Sequence, residues 1–341
     1  ANTEHSIREF IQLPMGYSTI LMIYRENRRI YSKDGIDITQ KLKIKALQEF
    51  QSLIAKPVSR NKKVFSEKRK TVSVFCFDHA ENPSIQYNSW FYNGIKLSDE
   101  KQGFGSFYQA AIESMLSDLG IQNMGNIYDV GVDRAIAAII KELIENTHEH
   151  ARYGFGENSA IKNDPNIRGV MMRYHRGDFA YFKQRVSQGD PFDMYFSNPK
   201  IFLNRKEQKT FIEISVIDSG VGFSQRVTNM PLSQMTRIAE KDHLIKCFAV
   251  YKKNQKLQGL KRIGSCLNEG VGFFKLRTGR LSSYINYTVD EYRSYEHNHP
   301  GEADAIFKKL RDWYNDGVKI THLAESSGSL ITILYPLEIN S

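Results

Sequence analysis

The sequence predicts an α/β two-layer sandwich, with one layer of helices packed on one β-sheet. Its strongest helical segment is DRAIAAIIKELIENTHEHA at 133–151, which begins with an Asp that can cap the helix and continues with strong helix formers. Three apolar, partly β-branched runs at 168–174, 211–217 and 329–335 have the composition of strands. Helices that alternate with strands need a shared core, and a helical layer on a sheet supplies one.

Residues 1–100 are predicted to form an N-terminal α/β region. Strands are expected at Ser18–Tyr24 and Thr71–Phe77, and apolar residues at helical intervals predict a helix over Ile38–Ile54. This region carries no chemical motif, so the sequence leaves its role open.

Residues 101–341 form the second predicted domain. Helical periodicity in this domain also covers Phe107–Leu119 and Glu302–Tyr314. The segment 176–208, rich in aromatic and charged residues, separates two predicted strands and is interpreted as an insertion, as is 290–320.

Composition says more about the cellular location of the chain than about the class of its binding partner. The formal net charge of +9 attracts nucleic acid, acidic membranes and nucleotides alike. A basic cluster at 56–70 leaves a nucleic-acid partner open, although a solvated loop or face is the favoured interpretation of these residues. Three scattered cysteines form neither a disulfide framework nor a CxxC pattern, and the run Ala135–Ile140 is far shorter than the ~20 apolar residues of a membrane span. We therefore expect a cytoplasmic protein with no membrane contact.

The first candidate site group lies on the long helix. Glu142, Asn146 and His150 are spaced four residues apart and therefore share one stripe of the helix. A carboxylate and an amide oxygen one turn apart suit a hydrated Mg²⁺ ion, with Asn146 as its ligand and Glu142 as the base that polarises a water. A solvated polar stripe is the simpler interpretation of these residues alone.

Two glycine motifs and one late strand complete the candidate set. In VIDSGVGF a strand-like run ends at Asp218, and Gly220 and Gly222 allow the backbone to approach a ligand closely. In NEGVGFFKL the residues Gly270, Val271 and Gly272 are expected to open a helix whose N–H groups hold phosphate. The last motif, GSLITILYP, places Ser329 at the entry of a strand, where its hydroxyl can bond a water or the carboxylate of the aspartate.

In order and local sequence these four elements resemble the N, G1, G2 and G3 boxes of the GHKL superfamily, over about residues 105–338. The resemblance implies a Bergerat ATP-binding fold that holds ATP and Mg²⁺. It implies that Glu142 is the general base, Asn146 the Mg²⁺ ligand and Asp218 the adenine contact, with the glycines around the turn and the phosphates.

The segment 224–269 corresponds to the lid of that superfamily and is long. One of its basic residues could reach the γ-phosphate, although a solvated run explains them too; they are Lys252, Lys253, Lys256, Lys261 and Arg262. Within it Gly259 and Gly264 have the glycine spacing of a P-loop, but Ser265 stands where the phosphate-binding lysine belongs, so we assign no Walker site.

Three functions remain compatible with such a site. The first is an ATPase whose nucleotide state switches contact with a protein partner or drives homodimerisation. The second is a protein serine kinase of the anti-sigma type, and the third is a sensor that binds ATP without hydrolysing it. A histidine kinase is disfavoured, because neither His5 nor His79 lies on a helix of the phosphoacceptor kind.

Overall fold

The structure is a computed structural model. It describes residues 29–32, 34–45, 64–66, 71–78, 91–93, 96–97, 132–155, 161–163, 166–249, 259–289, 310–315, 320–321 and 323–337. The predicted strand at 18–24, the predicted helix at 107–119 and most of the basic cluster at 56–70 lie outside these residues. Of the predicted helix at 38–54, residues 39–45 are described and are helical.

An eight-stranded sheet forms the centre of the described fold, and every neighbouring pair of its strands is antiparallel. The strands are β1 Val64–Ser66, β2 Thr71–Phe77, β3 Tyr92–Asn93, β4 Lys96–Leu97, β5 Tyr153–Phe155, β6 Ile161–Asn163, β7 Ile167–Gly177, β8 Lys209–Asp218, β9 Phe273–Gly279, β10 Leu281–Asn286, β11 Arg311–Asp312 and β12 Ser326–Pro336. The strand order in the central sheet is β1-β2-β7-β8-β12-β9-β10-β11. Two short hairpins, β3–β4 and β5–β6, are separate from this sheet.

In the sequence, each helix with described bounds lies between two strands. The predicted helix at 133–151 is confirmed, with bounds Val132–His150. These helices are α1 Val132–His150, α2 Phe179–Lys183, α3 Pro191–Phe196, α4 Phe223–Thr228, α5 Arg237–Ala249 and α6 Leu260–Glu269, with a 3₁₀ turn at Leu232–Gln234.

The main core lies between one face of the sheet and the apolar sides of α1 and α6. Period-2 alternation sends Ile212, Ile214 and Val216 of β8 into this core, and the 3.6-residue period of α1 sends in Ile139 and Leu143. All five side chains are almost completely buried. The helix packs on the sheet because the 2-residue period of the strands and the 3.6-residue period of the helix each place apolar side chains on the surface that they share.

The opposite face of the sheet is also covered, and this differs from the predicted two-layer arrangement. The segment 178–208 folds back over the sheet and packs its aromatic rings there. Phe182 stacks on Phe196, and both rings meet Phe211 of β8 edge to face. The predicted insertion thus supplies a partial third layer, because the sheet residues beneath it are large and apolar.

Two further predictions can be compared with the described residues, and one of them is wrong. Residues 310–314 do not continue the helix predicted over 302–314, since Arg311–Asp312 is a strand that pairs with β10. The strand predicted at Thr71–Phe77 is confirmed, and it pairs with β7 along its whole length. The central sheet therefore extends across the domain boundary predicted at residue 100.

Candidate functional site

A row of polar side chains crosses the sheet at one end, on the face that α1 covers. Ser329 of β12 pairs with Asp218 of β8 on one side and with Thr278 of β9 on the other. All three residues are buried, and the hydroxyls of Ser329 and Thr278 lie 3.1 Å apart. The strand register thus unites Asp218 and Ser329, two residues that the sequence assigned to one site. Thr278 was missed because no local motif marks it.

The Asp218 carboxyl lies at one end of the row, where burial disfavours its charged form. Its Oδ1 accepts a hydrogen bond from the backbone N–H of Gly220 at 3.0 Å. Burial raises the pKa of Asp218 to about 7, against the lowering effect of the backbone N–H groups of Gly220 and Ser329. A carboxyl that is half ionised near neutral pH can accept a hydrogen bond from an exocyclic amine such as that of adenine.

The turn that follows Asp218 and contains Gly220 and Gly222 packs against the end of α1. A Cβ on Gly220 would overlap the backbone of Ala151, just after the helix ends. A Cβ on Gly222 would lie 2.8 Å from the Thr278 hydroxyl, which also accepts a hydrogen bond from the N–H of Phe223. Glycine at these two positions therefore lets the turn fit between the helix and the polar row.

Glu142 and Asn146 lie on α1 as expected, but the Glu142 carboxylate is already engaged. Its side chain is 7% exposed and accepts hydrogen bonds from the backbone N–H of Gly259 at 2.6 Å and from the Arg262 guanidinium at 3.1 Å. Both donors lie at the start of α6, within the segment 224–269 that the resemblance assigns to a lid. The sequence analysis named Arg262 as a basic residue of this segment but did not predict its contact with Glu142, and it missed Gly259, although the glycine spacing at 259–264 was a usable signal.

The Asn146 amide lies beside the same lid residue. Its Nδ2 atom is buried and has no hydrogen-bond partner among the described residues. Both amide atoms lie 3.9 Å from the point where a Cβ of Gly259 would stand. An orphaned buried amide is the kind of group that a bound ligand satisfies.

A Mg²⁺ ion fits this donor set through the amide oxygen of Asn146. The described residues contain no group of three or more His, Cys, Asp or Glu side chains that could hold a metal. A Mg²⁺ ion at Asn146 would therefore take most of its ligands from phosphates and water, as Mg²⁺ commonly does.

A buried ionic network borders the polar row on its other side. Arg168 of β7, which pairs with Asp218 in the sheet, forms an ion pair with Asp78 through Nη2 at 2.6 Å. Its Nη1 donates to the Tyr92 hydroxyl at 2.6 Å, and that hydroxyl lies 2.9 Å from Nδ1 of His148 on α1. Burial lowers the pKa of His148 to about 4, and the positive charge of Arg168 acts in the same direction. The network links β2, β7 and α1 and so fixes the helix over the row.

The Gly270–Gly272 segment does not belong to this site, contrary to the sequence prediction. The segment follows the end of α6 and leads into strand β9 rather than opening a helix. A Cβ on Gly270 would overlap the Tyr335 ring, and the Val271 carbonyl accepts a hydrogen bond from the Tyr195 hydroxyl. Tyr335 lies six residues beyond Ser329 on β12, about 20 Å away along the strand. These glycines therefore serve packing at the opposite end of the sheet.

His150 and Lys261 are the two remaining residues that the sequence analysis assigned to the site. His150 is exposed at the last residue of α1, two turns beyond Glu142, and its ring lies 3.8 Å from the Glu149 carboxylate. Lys261 lies in the first turn of α6, and its side chain lies outside the described part of the structure. Its neighbour in sequence, Arg262, is the lid cation that contacts Glu142.

A cavity of about 270 Å³ lies on the opposite face of the sheet, beside Phe192 of α3. Its walls include Glu213, Lys275 and Thr332, whose side chains point away from α1. None of the predicted site residues lines this cavity. The candidate site is thus the surface between α1, the start of α6 and the polar row.

No protein-family model, curated protein or solved structure matches the chain. Within the residues that the structure describes, none of the helices has the length and apolar character needed to cross a bilayer.

Proposed function

We propose that this chain binds ATP with Mg²⁺ at a Bergerat-type site of the GHKL kind, hydrolyses it, and uses the nucleotide state as a switch for a partner. One observation carries the proposal. Asp218 at the end of β8 pairs with Ser329 of β12, and the turn that follows Asp218 packs at Gly220 against the end of α1, the helix whose Glu142 and Asn146 lie against Gly259 at the start of α6.

Each group has a role that its chemistry suits. Asp218 accepts a hydrogen bond from the 6-amino group of adenine, and the hydroxyls of Ser329 and Thr278 form the polar floor beside it. Asn146 holds Mg²⁺ through its amide oxygen, and the ion supplies neutralisation of the phosphate charge when bound.

Glu142 is the base in the proposed reaction. It takes a proton from a water molecule as the water oxygen bonds to the γ-phosphorus, and the bond from that phosphorus to the bridging oxygen breaks. The products are ADP and inorganic phosphate. Gly259 and Arg262 use one acceptor position on each carboxylate oxygen of Glu142, which leaves the remaining lone pairs for the proton of the water.

The direct test is phosphate release from γ-labelled ATP with and without Mg²⁺, with the protein resolved on a gel. Wild type should release free phosphate, and Glu142→Ala should lose turnover by about 10²-fold or more while it still binds ATP. Label that stays on protein would instead favour the serine-kinase function. Normal turnover by Glu142→Ala would exclude this residue as the base.

The switch requires a change of assembly or shape between nucleotide states. Light scattering of the chain with ADP and with a non-hydrolysable triphosphate measures homodimerisation directly. Identical mass and hydrodynamic radius in both states would count against the homodimer form of the switch and direct the search to a separate protein partner.

A further inference from the structure

The face of the sheet that points away from α1 carries a second polar row. Thr332 of β12 pairs with Ser215 of β8 on one side and with Lys275 of β9 on the other. The hydroxyls of Ser215 and Thr332 lie 3.2 Å apart. Strand alternation places this row on the opposite face from Asp218 and Ser329, so the proposed ATP site does not use it.

The cavity of about 270 Å³ lies over this second row, and both Lys275 and Thr332 line it. Its apolar walls are Phe192 of α3 and, from β12, Leu330 and Leu334. The volume is close to the ~300 Å³ at the lower end of ligand pockets. Apolar walls with a few polar groups among them are typical of a site for a small molecule.

The Lys275 ammonium is held against an aromatic ring inside this cavity. Its Nζ atom lies 3.3 Å from the centroid of the Trp313 ring, which is a cation–π contact. In the described part of the chain, this Nζ has no hydrogen-bond acceptor and no ion-pair partner. Burial lowers the pKa of Lys275, against the raising effect of the Asp190 and Glu213 carboxylates. An anion bound at Nζ would therefore stabilise the charged form of this lysine.

The other charged groups of the cavity wall leave it positive. The Glu213 carboxylate accepts a hydrogen bond from Nε2 of His175 at 2.8 Å and lies 3.8 Å from the Arg173 guanidinium. Burial acts to raise the pKa of Glu213, but these two partners outweigh it and the pKa is lowered. Arg277 is a second cation in the wall, and its guanidinium donates to backbone carbonyls only, among the described residues. The cavity therefore favours one negative charge near Lys275, and the ionised Glu213 disfavours a second.

We propose that this cavity binds a small organic monocarboxylate, with the carboxylate on Lys275 and Thr332 and the apolar body against Phe192 and Leu330. Nζ of Lys275 donates a charge-assisted hydrogen bond to one carboxylate oxygen. The Thr332 hydroxyl donates to the other oxygen, because it can accept the proton of the Ser215 hydroxyl at the same time. The site goes beyond the proposed ATPase function and does not depend on it.

A purely structural lysine is the competing explanation. In that case Lys275 only covers the Trp313 ring, and water fills the cavity. The two explanations differ in how binding depends on the charge of a ligand. Water and a structural lysine give no preference for a carboxylate over an uncharged group of the same shape.

The experiment titrates the full chain, without nucleotide, with benzoate, benzamide and acetate. Benzamide keeps the shape of benzoate without its charge, and acetate keeps the charge without the ring. Methyl NMR signals of Leu330, Thr332 and Leu334 report binding in the cavity. Signals of Ile139 and Leu143, in the core on the other face of the sheet, are the reference for effects elsewhere.

Two variants each remove one proposed donor, Lys275→Met and Thr332→Val. Lys183→Met is the matched control, because Lys183 also lies over an aromatic ring, that of Phe179 at 5.7 Å, but does not line the cavity. Urea unfolding and circular dichroism establish that each variant is folded.

We expect wild type to bind benzoate with a Kd of about 1 mM or tighter, and benzamide and acetate each about 10-fold more weakly or worse. Lys275→Met should weaken benzoate binding by about 10-fold or more and should bind benzoate and benzamide alike. Thr332→Val should weaken benzoate binding by about 3- to 10-fold, and Lys183→Met should leave it unchanged.

Three results would each refute the inference. They are no saturable shift of the cavity methyl signals with benzoate up to about 10 mM, equal affinity of wild type for benzoate and benzamide, and unchanged benzoate affinity in a folded Lys275→Met. Equal affinity for acetate and benzoate would refute the role of the apolar walls. If Lys275→Met is unfolded, the comparison of benzoate with benzamide on wild type decides the question alone. Because no nucleotide is present, failure here leaves the proposed ATP site untouched, and absence of ATP binding leaves this inference untouched.

Discussion

Replacing Asp218 with asparagine should change how the stability of the protein depends on pH. The carboxyl is buried, and its pKa is raised to about 7 from the 3.8 of an exposed aspartate. Because the folded pKa lies above the unfolded one, the folded protein binds this proton more tightly than the unfolded chain. The stabilising contribution is therefore fully present below about pH 4 and is lost as the pH rises through 7.

The size of the effect follows from these two pKa values. Compared with low pH, where both states are protonated, the raised pKa lowers the unfolding free energy by roughly 2 kcal/mol at pH 5 and roughly 4 kcal/mol at pH 8, at about 1.4 kcal/mol per pKa unit. Between these pH values the wild type should lose about 2 to 3 kcal/mol of unfolding free energy through Asp218 alone. The Asp218→Asn variant cannot lose a proton there and should not show this loss.

Urea unfolding of both proteins at several pH values between 5 and 8 measures the difference. All other titrating groups are common to the two chains, so they cancel when the two pH profiles are subtracted. A constant offset reflects the fit of the amide against the N–H groups of Gly220 and Ser329. Parallel pH profiles for wild type and Asp218→Asn would refute the reasoning, because they would show that the buried carboxyl does not titrate in this range.

Three other predictions test the surroundings of the site. Asn146→Ala should remove the dependence of ATP affinity on Mg²⁺, and calorimetry with and without chelator would contradict the assignment if both proteins respond alike. Gly220→Ala should destabilise the fold by about 1–3 kcal/mol in urea unfolding, because its Cβ would overlap the backbone of Ala151, and an unchanged midpoint would mean that the turn relaxes freely. The His148 ring should titrate near pH 4 in NMR spectra, since burial and the charge of Arg168 both disfavour its protonation, and a midpoint near 6.5 would contradict the buried network.

The local parts of the fold were accessible from the sequence. The strands at 71–77, 168–174, 211–217 and 329–335 and the helix at 133–151 were all predicted, and all are confirmed within a few residues. They share a strong hydrophobic period of either 2 or 3.6 residues. Periodicity of this kind is a property of short segments, so no tertiary information is needed to recognise it.

The mistaken predictions share a different property. Gly270–Gly272 was placed at a helix N-terminus because glycines before an apolar run suit that position, but the run FFKL begins strand β9, in which burial alternates from Phe274 to Thr278. A short apolar run does not distinguish a strand from the start of a helix, and the pairing of β9 with β12 decided this case. The covering of the second face of the sheet by 178–208 could not be predicted either, because it depends on which surface the aromatic rings meet.

The sequence by itself thus determined the elements of this protein and two halves of a candidate site, Glu142 with Asn146 and Asp218 with Ser329. Only the tertiary structure joined Asp218 to Thr278 through strand register and placed Gly259 and Arg262 against Glu142. The physical reason is that these contacts connect residues more than fifty positions apart. Their formation depends on how packed elements are arranged in space, and a local pattern carries no record of that arrangement.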